Sequence, residues 1–325
     1  MRRALSRQVA LLAVALLLAV ICSVLIGSRL VSPVAILDAA DPDHAVFAKR
    51  WDRTWAGLVI GAAFAIAGAL MQGLTRNPLA DPGLLGVNAG AAFAMVTAIS
   101  FLGVSSLAGY LWFGFLGAAL AAVVVHLVAT IGYGGATPVK LTIAGAALAA
   151  GLTSWTTGLL LVDRGAVEQI RRWQVGSVAG RDPDVLLAAL PAFAVGALLA
   201  VVMAGALNSF ALGDDLARGL GRRTARDRVL VGVAVVLLAG TGTAVAGPIA
   251  FIGLVVPHVV RRMVGADYRR VVAFSAGYGA VLVVVADTLG RVLLPPTEVP
   301  VGLTSSVIGV VAILVLVRSG RVAKL

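Results

Sequence analysis

Ionisable side chains are scarce in the apolar stretches of this 325-residue chain, so the few groups able to do chemistry stand out. His44, His126 and His258 are scattered, and no Ser/His/Asp set or HExxH pair converges on them. No G-x-x-x-x-G-K-[ST] loop is present to cradle phosphates. The expectation is therefore a chain with no catalytic residues and no metal site of its own, and not an enzyme. Intramembrane carboxylates mark proton or ion coupling in many transporters. Asp287 is the main candidate, yet Arg291 follows one helical turn later, and an i,i+4 pair accounts for both. Uphill work by this chain needs an energy source on another subunit.

Two other stretches concentrate unusual residues. TRNPLADPGLLGVNAGA (75–91) interrupts two apolar runs with Pro78, Pro82 and several Gly or Asn breakers. Its prolines stop the preceding helix and fix φ, so the backbone cannot drift back into helix there. ALNSFALGDDLARGLGRRTARDR (206–228) contains a short helix expected between Gly213 and Gly221. Asp214 and Asp215 suit its first turn, and Leu216 and Leu220 share a face four residues apart. Such a helix suits lipid head groups or a partner's groove, and the acidic start favours a protein.

The elements that hold these stretches follow from composition. The chain is 60% hydrophobic and 13% charged, with a mean hydropathy of +1.01. Runs such as Val9–Gly27, Trp55–Leu74 and Val229–Ala246 carry no charged side chain and match a hydrocarbon core of about 30 Å. Open sheets leave backbone groups unsatisfied in lipid, and the alternating pattern of barrel strands is missing. The fold class is all-α, a polytopic membrane protein with about ten transmembrane helices in a single domain, 1–325. Spans are expected at 9–28, 54–75, 86–104, 109–131, 141–161, 185–206, 229–247, 250–263, 271–290 and 301–318. The first, behind Arg2, Arg3 and Arg7, exceeds a signal-peptide core and is read as retained. Cys22, the single cysteine, lies in that span and supports no disulfide framework.

With ten spans both termini share one side. That side holds 17 Lys and Arg against 9 opposite, which places the termini in the cytoplasm. The pI near 11.1 reflects this orientation signal rather than nucleic-acid binding. Pairs such as Gly57/Gly61 and Gly86/Gly90 suit close helix contact in lipid. A faint echo between AIAGALMQGLTRNP (65–78) and AVAGPIAFIGLVVP (244–257) hints at a duplicated design. His258 reads as a packed histidine and Trp173 as an interfacial aromatic.

At this point the sequence resembles the FecCD-like permeases of type II ABC importers, a family that moves iron–siderophores, haem and cobalamin. Four motifs carry the resemblance, in order: NPLADPGLLGV, LGDDLARGLG, GPIAFIGLVVPHVVRRM and TEVPVG. It implies the type II importer permease fold in a bacterial cytoplasmic membrane, with cargo of ferric siderophores or, alternatively, haem or cobalamin. A secondary transporter is the reading from another class. The resemblance also implies a second permease subunit, identical or paralogous, two ATPase subunits that carry ATP and Mg, and an extracytoplasmic substrate-binding protein. No cofactor is expected on this chain.

By the same resemblance, Asp214, Asp215, Ala217, Arg218, Gly219, Leu220 and Gly221 would couple to the ATPase from a segment at about 207–228. Arg50, Arg53 and Arg291 would dock the binding protein, as exposed guanidiniums suited to bidentate pairing with carboxylates. Asn77 and Leu79 would form a cytoplasmic gate, the amide bonding across a two-fold axis and the leucine excluding water. The chain departs from the family at Asp52, where a proline is usual, and at Gly309-Val-Val-Ala-Ile313, where a proline and an aromatic are usual.

Overall fold

The computed structural model describes residues 2–29, 31–36, 38, 40–104, 106–132 and 136–318. Among these residues there are helices and no strand. In chain order the helices are α1 (Arg2–Leu25), α2 (His44–Thr75), α3 (Val87–Leu102), α4 (Leu107–Thr130), α5 (Pro138–Val162), α6 (Arg164–Gln174), α7 (Pro183–Phe210) and α8 (Asp214–Gly219). They continue as α9 (Thr224–Val235), α10 (Thr241–Ala246), α11 (Ile252–Val264), α12 (Tyr268–Leu293) and α13 (Val301–Arg318). A π-helical segment, Val236–Gly240, joins α9 to α10 in one continuous run.

Every expected span falls on these helices, and among the described residues seven helical stretches are long and apolar enough to cross a bilayer alone. The protein is a multi-pass membrane protein. The spans expected at 86–104, 250–263 and 301–318 are the shorter helices α3, α11 and α13. Backbone breaks explain the shortness of α11: Gly247 has φ 81°, Phe251 is left-handed at φ 69°, and Gly265 ends the helix at φ 86°. The second helix starts at His44 rather than residue 54, so the turns that carry Lys49, Arg50, Asp52 and Arg53 are helical.

The core is built around α2, in which every residue from Ala63 to Thr75 is buried. A helix apolar all round belongs at the centre of a bundle. Its closest companion is α12, and α11 crosses it toward its C-terminal end. Small residues permit both contacts: a methyl group at Gly61 would overlap the Gly279 carbonyl, and one at Gly68 would overlap the Gly253 backbone. Gly68 and Gly253 belong to the two echoing segments, which therefore meet face to face. The α1 helix is mostly exposed and lies along α12 and α2, with Cys22 half-buried.

One short helix was not expected. In α6, Ala166, Ile170 and Trp173 form a buried stripe at helical spacing, while Glu168 and Arg171 stay exposed.

Candidate functional site

The α2 helix ends where Arg76 turns left-handed, at φ 50° and ψ 34°. Its N–H returns to the Gln72 carbonyl, and Pro78 follows two residues later, a common way to stop a helix. The Asn77 side chain accepts the Leu79 N–H at 2.9 Å, which closes a tight turn. Asn77 and Leu79 are both exposed on this turn, so a second body placed there would meet them. Asp81 then caps a 3-10 turn at Pro82–Leu85 by accepting the Gly83 N–H at 2.8 Å. A neighbouring stretch at Gly134–Lys140 begins outside the described residues.

Directly above this turn, the two echoing segments lock together. Gln72 is fully buried, and its amide donates to the carbonyls of Gly253 and Leu254 at 3.1 Å each. The Gln72 carbonyl accepts from Arg261, whose guanidinium also donates to the Tyr268 hydroxyl at 3.1 Å and lies over that ring. Arg261 is the arginine of the PHVVR motif, so the motif's charge closes an internal network. His258, in the same helix, is buried. At the start of α12, the Asn208 amide donates to Asp267 at 2.8 Å and holds its carboxyl below the ordinary range. Asp267 in turn accepts the Arg269 N–H and caps α12.

The short helix expected between Gly213 and Gly221 is α8, and those two glycines take φ 103° and 79°. Its two aspartates part company. Asp215 points outward and pairs with Arg218 at 2.8 Å. Asp214 turns inward and bridges Arg76, at the end of α2, and Arg228 of α9, the latter at 2.5 Å. Burial pushes the Asp214 carboxyl upward, but hydrogen bonds and charge from Arg228 and Arg76 prevail and hold it below its ordinary range. Arg228 also lies over the Phe210 ring at the end of α7. Ala217 is buried against the bundle, while Leu216 and Leu220 are 62% and 65% exposed. Gly219 has open space where a side chain would begin.

On the opposite face, Arg50, Arg53 and Arg291 are drawn into one cluster. Arg50 is buried and donates to the carbonyls of Val24, Leu25 and Arg29 at 3.1, 3.0 and 2.7 Å. These carbonyls lie at and beyond the end of α1, where helix carbonyls lack partners within the helix. Arg291 is buried and donates to the Ser23 carbonyl, Ser23 Oγ and Thr288 Oγ1. It also forms the expected i,i+4 ion pair with Asp287, at 3.4 Å. Arg53 bridges Asp287 at 2.7 Å and Glu298 at 2.5 Å. The premise of exposed guanidiniums is therefore corrected: Arg50 and Arg291 spend their charges on backbone carbonyls and Asp287, and the Arg53 side chain is only 11% exposed. The cluster floors a basin of about 700 Å³ whose rim carries Arg29, Lys49, Arg181, Asp52 and Asp182.

Trp173 is also corrected. It is buried rather than interfacial, and its indole N–H is shared between the Thr243 and Ala244 carbonyls at 3.0 Å each. Three residues on, Gly176 at φ 76° places its carbonyl to accept the Gly302 N–H at the start of α13. The W-x-x-G spacing was the available signal: a tryptophan that ties α6 to α10 and a glycine that ties both to α13.

Comparison with known proteins adds a further finding. The profile of the FecCD transport family matches residues 15–319. The chain is 44% identical to the probable siderophore transport system permease protein YfiZ of Bacillus subtilis, over 83% of this chain and 81% of that one. It is 41% identical to the ferric enterobactin transport system permease protein FepD of Escherichia coli, over 93% and 92%. A solved inward-facing ABC transporter of the metal-chelate type superposes with a TM-score of 0.85 at 26% identity, covering 96% of this chain and 99% of that one.

Proposed function

The chain belongs to the FecCD transport family, and from that premise we propose that it is the permease of an ATP-binding-cassette importer that passes ferric siderophores across the bacterial cytoplasmic membrane. One observation carries the cargo: 44% identity, over most of both chains, to a permease named for siderophore transport. The relative named for ferric enterobactin supports the same class.

The work comes from two separate ATPase subunits, because the sequence holds no phosphate-cradling loop. Their contact is α8, with Leu216 and Leu220 as the apolar anchors and Asp215, Arg218, Gly219 and Gly221 around them. Asp214 and Ala217 act from behind, fixing the helix to the bundle. A second permease, identical or paralogous, faces the turn carrying Asn77 and Leu79, and the paired turns gate the pathway. A substrate-binding protein docks over the arginine basin. Arg53 reaches toward it, and Arg50 and Arg291 hold the basin floor. Both termini lie in the cytoplasm, as the basic residues favour.

The test is reconstitution of the full chain in vesicles with its ATPase and binding protein. Uptake of a ferric siderophore should require ATP and exceed uptake of haem or cobalamin. Uptake that persists without ATP would favour a secondary transporter and overturn the importer reading.

A further inference from the structure

A trough of about 350 Å³ runs between α4 and α9, with Leu74 and Leu85, on either side of the turn carrying Asn77 and Leu79, in its lining. Its walls are almost wholly apolar, with Phe115, Val123 and Leu127 on one side and Val229, Val233 and Leu237 on the other. Val123, Leu127, Val229 and Val233 are exposed, so the trough opens sideways, toward the hydrocarbon layer. Its deep end lies where α9 passes into the π-helical segment, and π segments recur at functional sites.

The other end does not stay apolar. It continues into a second hollow of about 310 Å³, and the two share His126, Ala136, Arg228 and Val229. This mouth is lined by Arg218, Arg228, Thr130 and Thr224, with Asp214 as its single carboxylate. Asp214 is already engaged by Arg76 and Arg228, so its charge is answered within the protein. Three more arginines, Arg222, Arg223 and Arg226, lie in the same short stretch of chain. An apolar channel that ends in guanidiniums and hydroxyls has the chemistry of an acyl chain joined to a phosphate.

We propose that this trough and its mouth form a binding site for an anionic phospholipid of the surrounding bilayer. The acyl chain lies along α4 and α9, and the phosphate meets Arg228 and Thr224. Basic pockets at the ends of membrane helices take acidic headgroups in this manner. The site adjoins α8, so its occupancy would be felt by the Asp214 bridge.

Gly232 supplies a clean test. It lines the trough, and a side chain built there meets nothing within 4 Å. Gly232→Leu therefore starts from a Cβ in open space and extends an apolar side chain into the trough, and a side chain suits a helix interior better than glycine does. Thr224→Glu places a negative charge at the mouth and at the first turn of α9, where an acidic residue favours the helix. Gly151→Leu, on α5 and likewise free of contacts, is the control.

The full-length chain and its three variants would be titrated with phosphatidylglycerol or phosphatidylcholine and read by native mass spectrometry, with melting temperatures measured in parallel. The expected wild-type preference for phosphatidylglycerol is about tenfold. Gly232→Leu should lose both lipids from this site, Thr224→Glu should lose the preference, and Gly151→Leu should behave as wild type. Equal retention of the two lipids by the wild type would overturn the proposal. So would unchanged phosphatidylglycerol binding in a folded Gly232→Leu or, should that variant not fold, in Thr224→Glu.

Discussion

Gln72 of α2 and Arg261 of α11, 189 positions apart in the chain, share a hydrogen bond inside the bundle. Around it, one amide and one guanidinium satisfy two backbone carbonyls and a tyrosine hydroxyl. A buried cation without a carboxylate partner depends on such neutral acceptors.

Gln72→Ala removes the acceptor and leaves the charge of Arg261 in place. The expected loss is roughly 2–3 kcal/mol, in the range for a hydrogen bond to a charged group. Thermal unfolding of the purified protein reads it directly. Gln72→Ala combined with Arg261→Ala should cost less than the sum of the single changes, and strict additivity would contradict the coupling.

Asp214→Asn should loosen α8 and spare the bundle. Hydrogen exchange is expected to rise across residues 214–219 while the buried part of α2 stays protected. The same tether is pH-sensitive with a defined sign. A carboxyl held low in the folded protein contributes fully above its unfolded value of about 3.9. That contribution is lost as pH falls through the lower native value. Exchange in α8 that stays flat on acidification would refute the tether.

Arg218→Glu together with Leu220→Asp should abolish co-purification of the ATPase. Both side chains are exposed, and the contacts of Arg218, to Asp215 and to the Asp214 carbonyl, stay within α8. The melting temperature should therefore stay within about a degree or two of wild type, as surface changes usually do. An ATPase that still co-purifies at wild-type yield would remove α8 from the coupling role.

Trp173→Phe keeps an aromatic ring, though a smaller one, and deletes the indole N–H shared by the Thr243 and Ala244 carbonyls. The expected cost is about 1–2 kcal/mol, read as a lowered melting temperature. Trp173→Ala should cost about 3–5 kcal/mol by opening a cavity. Equal effects from the two would mean that packing alone fixes this tryptophan.

Apolar length and turn chemistry made the bundle legible in the sequence. Every expected span is helical, and the glycines of Gly213–Gly221 bracket α8 as their placement implied. What escaped was pairing across the chain. Arg50 and Arg291 look like exposed interfacial charges until the open end of α1 is brought beside them. Arg261 reads as one more basic residue at a span end, yet Gln72 gives it an acceptor inside the bundle. The α6 stripe was missed because its charged residues, Arg164, Glu168 and Arg171, outweigh three buried positions in any hydropathy average. Gly61 and Gly90 sit at tight helix crossings as expected, whereas Gly86 serves a left-handed turn at φ 72°.

The close crossing at Gly68 and Gly253 also makes α2 a lever. The helix has 32 residues and no proline, so it transmits tilt without a sharp bend. Taking the crossing as fulcrum, the arm to Thr75 is about 10 Å and the arm to Arg53 about 22 Å. The short arm ends beside Arg76, which is bonded to α8 through Asp214, and the long arm carries the arginine that holds Asp287 and Glu298. A tilt of α2 about that crossing would therefore move the Arg53 end roughly twice as far as the Thr75 end, in the opposite sense.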